Sequence, residues 1–293
     1  MRTLLENRKA RIGLAVVVAF VLLAAVGPLL VSDPTDFVGA PHQSPSAAHW
    51  LGTTGQGQDV LAQTVVGART TLLVGVLTGL GVIGLGALVG GIAGYFGGRI
   101  DDALTLLINV FLVLPGLPLM VVLAAWLPPG PGTIIGVLIL TGWAWNARVF
   151  RAQTLSIRSR DFIAAAIISG EHPLRIVVVE ILPNMASLLV ASFIGATLYA
   201  IGAQVGLEFL GLGDVSAVTW GTNLYWASND AALLTGSWWT FVPTGVGIAL
   251  VGFGLTMLNF GIDELTNPRL AARRSPLHSR PGLSATPVAR ELR

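Results

Sequence analysis

The side chains that most often carry enzyme chemistry are few in this sequence and stand far apart. Cysteine is absent, so the chain offers neither a thiol nucleophile nor a thiolate metal site. No HExxH spacing and no GxSxG segment occurs. The four histidines are His42, His49, His172 and His278. We therefore predict no catalytic residue, no metal site and no cofactor bound by this chain.

Two patterns bear on nucleotide binding, and neither supports it. Residues 79–84 read GLGVIG, which matches the dinucleotide fingerprint in form but has neither a preceding strand nor a following acidic residue. We interpret this stretch as a helix-packing face. A Walker A loop needs a lysine after glycine, whereas the single lysine, Lys9, follows Arg8. If ATP powers this protein, a separate ATPase subunit must bind the ATP and its Mg²⁺.

The composition is that of a chain solvated by lipid. Hydrophobic residues make up 53% of the 293 residues and charged residues only 11%, against about 25% charged in a soluble domain. A helix needs about 20 apolar residues to cross the hydrocarbon core. Six runs meet or approach this length: Ile12–Val31, Thr70–Gly94, Ala103–Leu127, Thr133–Val149, Asn184–Gly206 and Thr240–Ile262. We predict six transmembrane helices, the first an uncleaved anchor and the third kinked at Pro115 and Pro118.

Basic residues predict the orientation, since they favour the cytoplasmic side in short loops. With the N-terminus inside, all of the 17 basic residues except Arg69 lie inside. This organisation comprises a cytoplasmic N-terminus (1–11), a first helix with an extracytoplasmic segment (12–69), and a core of five transmembrane helices (70–262). The core contains a cytoplasmic loop (148–184). A cytoplasmic tail (263–293) follows, which we expect to be disordered beyond residue 270.

Aromatic residues agree with this orientation, because amphipathic rings favour the membrane interface. Two tryptophans, Trp143 and Trp145, fall near the inner end of the fourth run. Each of these rings could instead fill a protein core. The six aromatic residues at the proposed outer boundary are Trp126, Trp220, Tyr225, Trp226, Trp238 and Trp239.

Small and polar residues inside the runs suggest how the helices pack. Glycines that share one face of the second helix would let neighbouring backbones approach closely. They are Gly75, Gly79, Gly86, Gly90 and Gly94. Four polar residues could either line a pathway or form hydrogen bonds between helices: Asn109, Gln204, Thr256 and Asn259. The acidic residues all fall outside the six runs, which disfavours a proton-coupled carrier.

The cytoplasmic loop from Arg148 to Asn184 contains a short predicted helix. Asp161 suits its first turn, the helix covers Phe162–Ser169, and Gly170 ends it. One side of this helix would present Phe162, Ala165, Ala166 and Ser169. Two interpretations are open from the residues alone: the small side chains allow another protein to dock, or the helix lies on anionic lipid between flanking arginines.

The same loop resembles a known family. Ala165-Ala166-xxx-Gly170, followed thirteen residues after the glycine by Pro183, is similar to the "EAA" loop of ABC importer permeases. In that family the loop forms a coupling helix that docks into the cytoplasmic ATPase. This sequence departs from the pattern at Ala164, where the motif has Glu, and at Glu180, where His is common.

Further segments resemble the C-type permeases of dipeptide and oligopeptide importers, in the same order along the chain. They are residues 49–53 with 57–60 and 67–69, then 94–101, then 207–213 with 220–221, and finally 259–268. The resemblance implies an all-α type I importer permease of six transmembrane helices with both termini cytoplasmic, in the bacterial inner membrane. The chain would form half of the translocation pathway and would not itself be an enzyme.

The resemblance also implies partners and cargo. The partners would be a second homologous permease, two ATPase subunits or one fused ATPase chain, and an extracytoplasmic solute-binding protein. The cargo would be di- or oligopeptides, with glutathione, nickel chelates or antimicrobial peptides as alternatives carried by relatives. An ATP-independent channel or carrier and a membrane enzyme are the competing classes. Net charge of only +2 disfavours a nucleic-acid partner.

Overall fold

A computed structural model describes residues 7–266, and this part of the chain is mostly helical. Its extended contacts are two isolated bridges, Phe37 with Gln58 and Thr53 with Asp59. The predicted disorder beyond residue 270 lies outside the described residues. The helices are α1 Arg8–Val26, α2 Val60–Phe96, α3 Gly98–Val113, α4 Gly116–Trp126, α5 Pro131–Arg158, α6 Asp161–Ile168, α7 Pro173–Arg175, α8 Leu182–Asn184, α9 Ala186–Phe209, α10 Trp220–Asn229, α11 Ala232–Thr235 and α12 Val242–Thr266.

Five helices are long and apolar enough to span a membrane, and the bent pair α3–α4 brings the count to six. The predicted count of six is therefore confirmed, but the helices extend past the apolar runs. The 37 residues of α2 reach about 55 Å at 1.5 Å per residue, beyond the ~30 Å hydrocarbon core. The fourth span, predicted as Thr133–Val149, continues as helix to Arg158.

The third span is broken rather than kinked, because α3 and α4 meet at 85°. Pro115 is the cause: it disfavours helical geometry in the residue before it, and Leu114 has an extended backbone (φ −63°, ψ 134°). Pro118, by contrast, falls in the first turn of α4, where its missing N–H has no helical acceptor to lose. The prediction was right for Pro115 and wrong for Pro118.

The direction of the helices shows that the bent pair crosses the bundle. Gly86 of α2 packs against Asn146 of α5, and Gly94 packs against Thr154, so the contacts advance along both helices together. Since α2 and α5 run parallel, the chain must return between them, and α3–α4 makes that return. The bent pair therefore counts as one crossing.

Both described ends of the chain lie on one face of the bundle. Asn7 donates to Glu264 (2.6 Å), and Lys9 forms an ion pair with Glu264 (3.1 Å). Ala10 packs under Gly261, which makes α1 and α12 antiparallel. We call this face, which also holds the end of α2 and helix α6, the terminal face.

The opposite, distal face is covered by residues 30–59 and by α10 and α11. Trp239 donates its indole N–H to the carbonyl of Thr53 (3.2 Å), and Trp220 donates to the carbonyl of Thr64 (3.0 Å). Trp220 and Trp143 are buried, so these two rings fill the core, the alternative that the sequence left open. Trp126 and Trp238 are exposed.

Candidate functional site

Helix α6 has the boundaries expected of a short helix ended by glycine. Asp161 lies in its first turn, where a carboxylate faces the positive end of the helix dipole. At its end the N–H of Gly170 donates to Ile167 (3.0 Å) and the N–H of Glu171 donates to Ala166 (3.2 Å), which is a Schellman motif. Gly170 has φ +77°, a conformation that glycine adopts without strain. The predicted helix Phe162–Ser169 is thus displaced by one residue at each end.

One residue anchors α6 to the bundle. Ile163 has no exposed surface and lies in a buried cluster that draws side chains from α2, α5 and the segment before α9. The rest of this cluster is Ala87, Tyr95, Phe150, Ile157, Ile176, Val177, Ile181 and Met185. Helix α6 therefore packs against the end of α5 and the segment before α9, in a buried cluster that also contains side chains of α2.

The other side of α6 is apolar and uncovered. Ile168 is 85% exposed and Ile167 is 52% exposed, while Phe162 and Ala165 are also at the surface. Of the residues predicted on the docking side, Ala166 is the exception, because it is partly buried against the Ile163 cluster. Adjoining apolar side chains that are exposed on a helix outside the membrane spans are typical of an interaction surface.

The segment that follows α6 contains an irregular helix. Ile176–Ile181 forms a π-helix whose wide turn is closed by Leu182 N–H donating to Val177. Pro183 follows directly, and a regular α-helix would require the N–H that proline lacks and a carbonyl position that its ring occupies. The π-turn accommodates Pro183 and keeps Ile176, Val177 and Ile181 facing the Ile163 cluster.

A bidentate ion pair joins α3 to α5 close to α6. Arg151 places Nε 2.5 Å and Nη2 2.6 Å from the two carboxylate oxygens of Asp101. Arg158, seven residues on, lies over the ring of Tyr95 at 6.0 Å. Both arginines thus brace the end of α5, from which α6 continues. Sequence reasoning missed the pair because its members are 50 residues apart, although Asp101 lies in one of the segments that resemble the family.

A cleft opens at the middle of the bundle between α2, α3, α5 and α9, with a volume of about 460 Å³. Its wall contains hydroxyl, amide and apolar side chains and no Asp, Glu, Lys, Arg or His. The lining residues are Thr78, Val82, Leu112, Leu138, Thr141, Gly142, Trp145, Asn146, Ser192, Gly195, Ala196 and Tyr199.

None of the four residues singled out as pathway candidates lines this cleft. Asn109 accepts a hydrogen bond from Arg148 of α5 (2.8 Å), and Thr256 donates to the carbonyl of Gly252 in its own helix (2.7 Å). Gln204 is buried near the distal face, and the Oδ1 of Asn259 is buried without a partner among residues 7–266. The sequence signal that could have pointed to the cleft is the hydroxyl residues within the apolar runs, such as Thr78, Thr141 and Ser192.

The predicted glycine face of α2 packs against two different helices. Gly75 and Gly79 contact Ile201 and Thr197 of α9. The other three, Gly86, Gly90 and Gly94, contact α5. These glycines let α2 pack closely against both α5 and α9. The three helices, together with α3, form the walls of the cleft.

Several carboxylates lie inside the spanning helices, which corrects the expectation that all acidic residues fall outside the spans. Asp101 and Asp102 lie near the start of α3, and the buried one is Glu208. Helix α9 continues to Phe209, so Glu208 belongs to its last turn, where it is 3% exposed. Glu208 accepts from Gln204 (3.0 Å), from the hydroxyl of Thr219 (2.5 Å) and from the N–H of Gly221. The apolar run ended at Gly206, two residues too early to include it.

These bonds join α9 to the start of α10. Thr219 and Thr222 form a capping box at the N-terminus of α10, so the same threonine both caps that helix and binds Glu208. A Cβ atom at Gly221 would overlap the Glu208 carboxylate. Glu208 and the start of α10 therefore depend on each other. The carboxylate needs the donors of Thr219 and Gly221, and position 221 has no room for a larger side chain.

The comparison with known protein families agrees with this architecture. Residues 86–271 match the family described as "Binding-protein-dependent transport system inner membrane component", and residues 1–48 match the "N-terminal TM domain of oligopeptide transport permease C". The first match covers more than half of the chain. The chain therefore belongs to the family of binding-protein-dependent transport permeases, which are inner-membrane components of bacterial ABC transporters.

Individual relatives give a narrower likeness. The chain is 34% identical over 274 residues to the dipeptide transport system permease protein DppC of Bacillus subtilis (strain 168), covering 92% of this chain and 84% of the relative. It is also 34% identical over 274 residues to the oligopeptide transport system permease protein OppC of Mycobacterium tuberculosis (strain ATCC 25618 / H37Rv), covering 92% and 93%. The oligopeptide permease OppC of Bacillus subtilis (strain 168) is 31% identical over 271 residues, covering 90% of this chain and 87% of the relative.

Proposed function

We propose that this chain forms half of the translocation pathway of an ATP-driven importer for di- or oligopeptides, and that α6 couples it to a separate ATPase. The names of the dipeptide and oligopeptide permeases to which it is similar support the cargo. The missing Walker A lysine supports the separate ATPase, which would bind ATP and Mg²⁺. The remaining partners would be a second homologous permease and an extracytoplasmic binding protein.

The orientation that this function requires puts the terminal face in the cytoplasm. Basic residues of the described chain gather there, as the positive-inside tendency predicts. Arg69, in the distal half of α2, is the basic residue that departs from this pattern. In this orientation α6 faces the compartment that contains ATP, and residues 30–59 with α10 and α11 face the binding protein.

The observation that carries the proposal is the combination of an anchored side and an open side on α6. The open side presents Phe162, Ala165 and Ile168, whose burial by a partner would favour docking. The anchored side, Ile163, transmits the position of α6 to the Ile163 cluster and hence to α2 and α5. A rigid link of this kind allows ATP-driven closure of the ATPase pair to shift the bundle between two packings.

Substitution at Ala165 tests the coupling more cleanly than substitution at Ala166, because Ala165 is exposed whereas Ala166 also supports the core. In the assembled complex, Ala165→Asp is expected to abolish ATPase co-purification and peptide-stimulated ATP hydrolysis, since a carboxylate would be buried without a partner. Ala165→Ser is the size-matched control and should retain at least half of both. Normal stimulated ATP hydrolysis in the Ala165→Asp complex would refute the assignment of α6.

Gly170→Arg provides a second test. Position 170 has space for a side chain but requires φ +77°, so a non-glycine residue is expected to loosen the end of α6 and weaken coupling without clashing. Membrane insertion, measured by protease protection of the tail, should be unchanged. Uptake that equals that of the unaltered complex would show that the end of α6 takes no part in docking.

A further inference from the structure

The wall of the central cleft is uncharged. Among its twelve lining residues none is Asp, Glu, Lys, Arg or His. Charges interact strongly at short range in a site from which water is partly excluded. A solute with an ionised side chain would therefore meet neither a counter-ion nor a like charge in this cleft.

The polar groups of the wall are suited to amides. The Oγ1 of Thr78 is buried, with the residue 1% exposed, and it has no hydrogen-bond partner among the described residues. Buried hydroxyls are normally bonded. Four other threonine hydroxyls of the described chain share this state, and Thr78 is the one of the five that lines the cleft. Tyr199 is half exposed, and the contact of its hydroxyl is a distant one with the sulfur of Met120 (3.9 Å). Asn146 and Ser192 add an amide and a hydroxyl to the same wall.

The cleft also has room for a chain of atoms to lie along it. A Cβ atom built on Gly195 of α9 would meet nothing within 4 Å, so the α9 backbone borders open space there. Val82, Leu112 and Leu138 supply apolar surface, and Trp145 supplies an exposed ring. At about 460 Å³ the cleft has the size of a small-ligand pocket.

We propose that the central cleft binds the main chain of the transported peptide and does not discriminate between acidic and basic side chains. Thr78, Asn146, Ser192 and Tyr199 bond to peptide N–H and C=O groups, while the apolar wall accepts side chains without selection. This assignment rests on the proposed function, since it takes the cargo to be a peptide. Sequence selection then falls to the binding protein rather than to the pathway.

Gly195 offers a direct test because a new side chain there enters the cleft without a clash. Uptake of Ala-Lys-Ala, Ala-Ala-Ala and Ala-Glu-Ala is measured in proteoliposomes with the complete complex, each peptide saturating the binding protein. The unaltered complex is expected to transport Ala-Lys-Ala and Ala-Glu-Ala at rates within about threefold of each other, with Ala-Ala-Ala as the neutral reference. Gly195→Gln should lower all three rates by a common factor, whereas Gly195→Glu, of the same size, should lower Ala-Glu-Ala at least tenfold relative to Ala-Lys-Ala.

Thr78 tests the main-chain contact. Thr78→Val keeps the shape but removes the hydroxyl, and it is expected to slow all three peptides by a similar factor of about three to ten. Thr78→Ser restores a hydroxyl and should recover most of the rate, which a purely structural role in packing would not allow.

The outcomes separate the cleft from the broader proposal. Equal effects of Gly195→Glu and Gly195→Gln on acidic and basic peptides would overturn the cleft assignment while leaving the importer intact. Strong charge discrimination by the unaltered complex would also overturn it. Failure of the unaltered complex to take up any of the peptides would refute the proposed cargo, and with it the ligand assigned to the cleft.

Discussion

The terminal and distal faces of the bundle each tie helices together with a carboxylate, but they satisfy that carboxylate differently. On the terminal face, Asp101 accepts two hydrogen bonds from the guanidinium of Arg151, and both side chains are partly exposed. On the distal face, Glu208 is nearly inaccessible and is held by the neutral donors of Gln204, Thr219 and Gly221. No ion pair involves Glu208 in the part of the chain that the structure describes.

The difference follows from access to water. A partly exposed ion pair retains solvation and can exchange partners as helices move, whereas a buried carboxylate is stable only while every donor stays in place. The Asp101–Arg151 pair, which we call the terminal joint, is thus adjustable, and it lies beside α6, where the proposed coupling requires movement. The contacts around Glu208, which we call the distal joint, are closely packed and suit a rigid connection between α9 and α10.

The largest expected effect comes from filling the distal joint. Gly221→Leu would force a side chain into the Glu208 carboxylate and the backbone of Val205, and overpacking of this kind costs about 3 kcal/mol or more. We expect a large fall in Tm, measured by tryptophan fluorescence in detergent. Gly206→Ala in α9, the helix that contains Glu208, meets nothing within 4 Å and should change Tm little. Comparable Tm values for the two variants would mean that Glu208 is not tightly enclosed.

Breaking the terminal joint should cost less. Arg151→Met leaves Asp101 without its guanidinium, and the loss of hydrogen bonds to a charged group suggests about 2 kcal/mol. Arg151→Lys should restore less than half of this, because lysine lacks the two-pronged geometry. The unaltered protein should lose stability with added salt more than Arg151→Met does.

Arg175 is the control for this second prediction. Its partner Glu171 lies one turn away and the arginine is 56% exposed, so Arg175→Met should cost less than about 0.5 kcal/mol. If Arg151→Met is as mild as Arg175→Met, the Asp101 pair is a surface contact rather than a joint.

A comparable effect is expected at Thr219. Thr219→Val removes the hydroxyl that both caps α10 and donates to Glu208, and the two losses together cost about 2 kcal/mol. Thr219→Ser keeps the hydroxyl and should recover most of the stability. Chemical unfolding midpoints of the two variants measure this, and identical midpoints would place the distal joint elsewhere.

The smallest effect concerns two acidic residues on the distal face whose pKa shifts are opposite. Burial raises the pKa of Asp230, partly offset by His42, whereas bonds from the hydroxyl and N–H of Ser216 lower the pKa of Asp214. Folded Asp230 therefore holds its proton longer than the unfolded chain does, and its contribution to stability falls as the pH rises above about 4. The contribution of Asp214 is present above about pH 4 and is lost as the pH falls.

Asparagine variants should therefore shift stability in opposite directions. At pH 7, Asp230→Asn is expected to raise Tm slightly and Asp214→Asn to lower it slightly, each within about 0.5 kcal/mol. Scans of Tm between about pH 2 and pH 7 measure both slopes. Shifts of the same sign would contradict the assigned environments.

The predictable parts of this molecule are those encoded by neighbours in sequence. The six spans follow from apolar runs, and α6 follows from Asp161 and Gly170 acting on adjacent backbone groups. Pro115 broke the third span as expected of its ring. The ends of helices were less predictable, because α5 continues through Arg148 and Arg151, whose charges ended the apolar run although each finds a partner on α3.

The polar residues that line the central cleft were not predictable in the same way. Asn109, Gln204, Thr256 and Asn259 have the polarity of pathway residues, yet the cleft is lined by other residues. Composition shows that a side chain is polar but not which way it points in a helix with apolar residues on every side. Glu208 was assigned outside the membrane helices for a related reason, since only its enclosed donors allow a carboxylate at that position.

By itself the sequence determined a multi-span helical membrane chain, the family resemblance, and a short helix with a glycine stop, because each depends on local propensity or on hydrophobicity summed over a window. Only the tertiary structure decided that α2 packs along α5, that Ile163 anchors α6, and that Asp101 meets Arg151. It also decided that twelve uncharged residues from four helices enclose one cleft. The physical reason is that these relations depend on packing between helices distant in sequence, which local patterns do not encode.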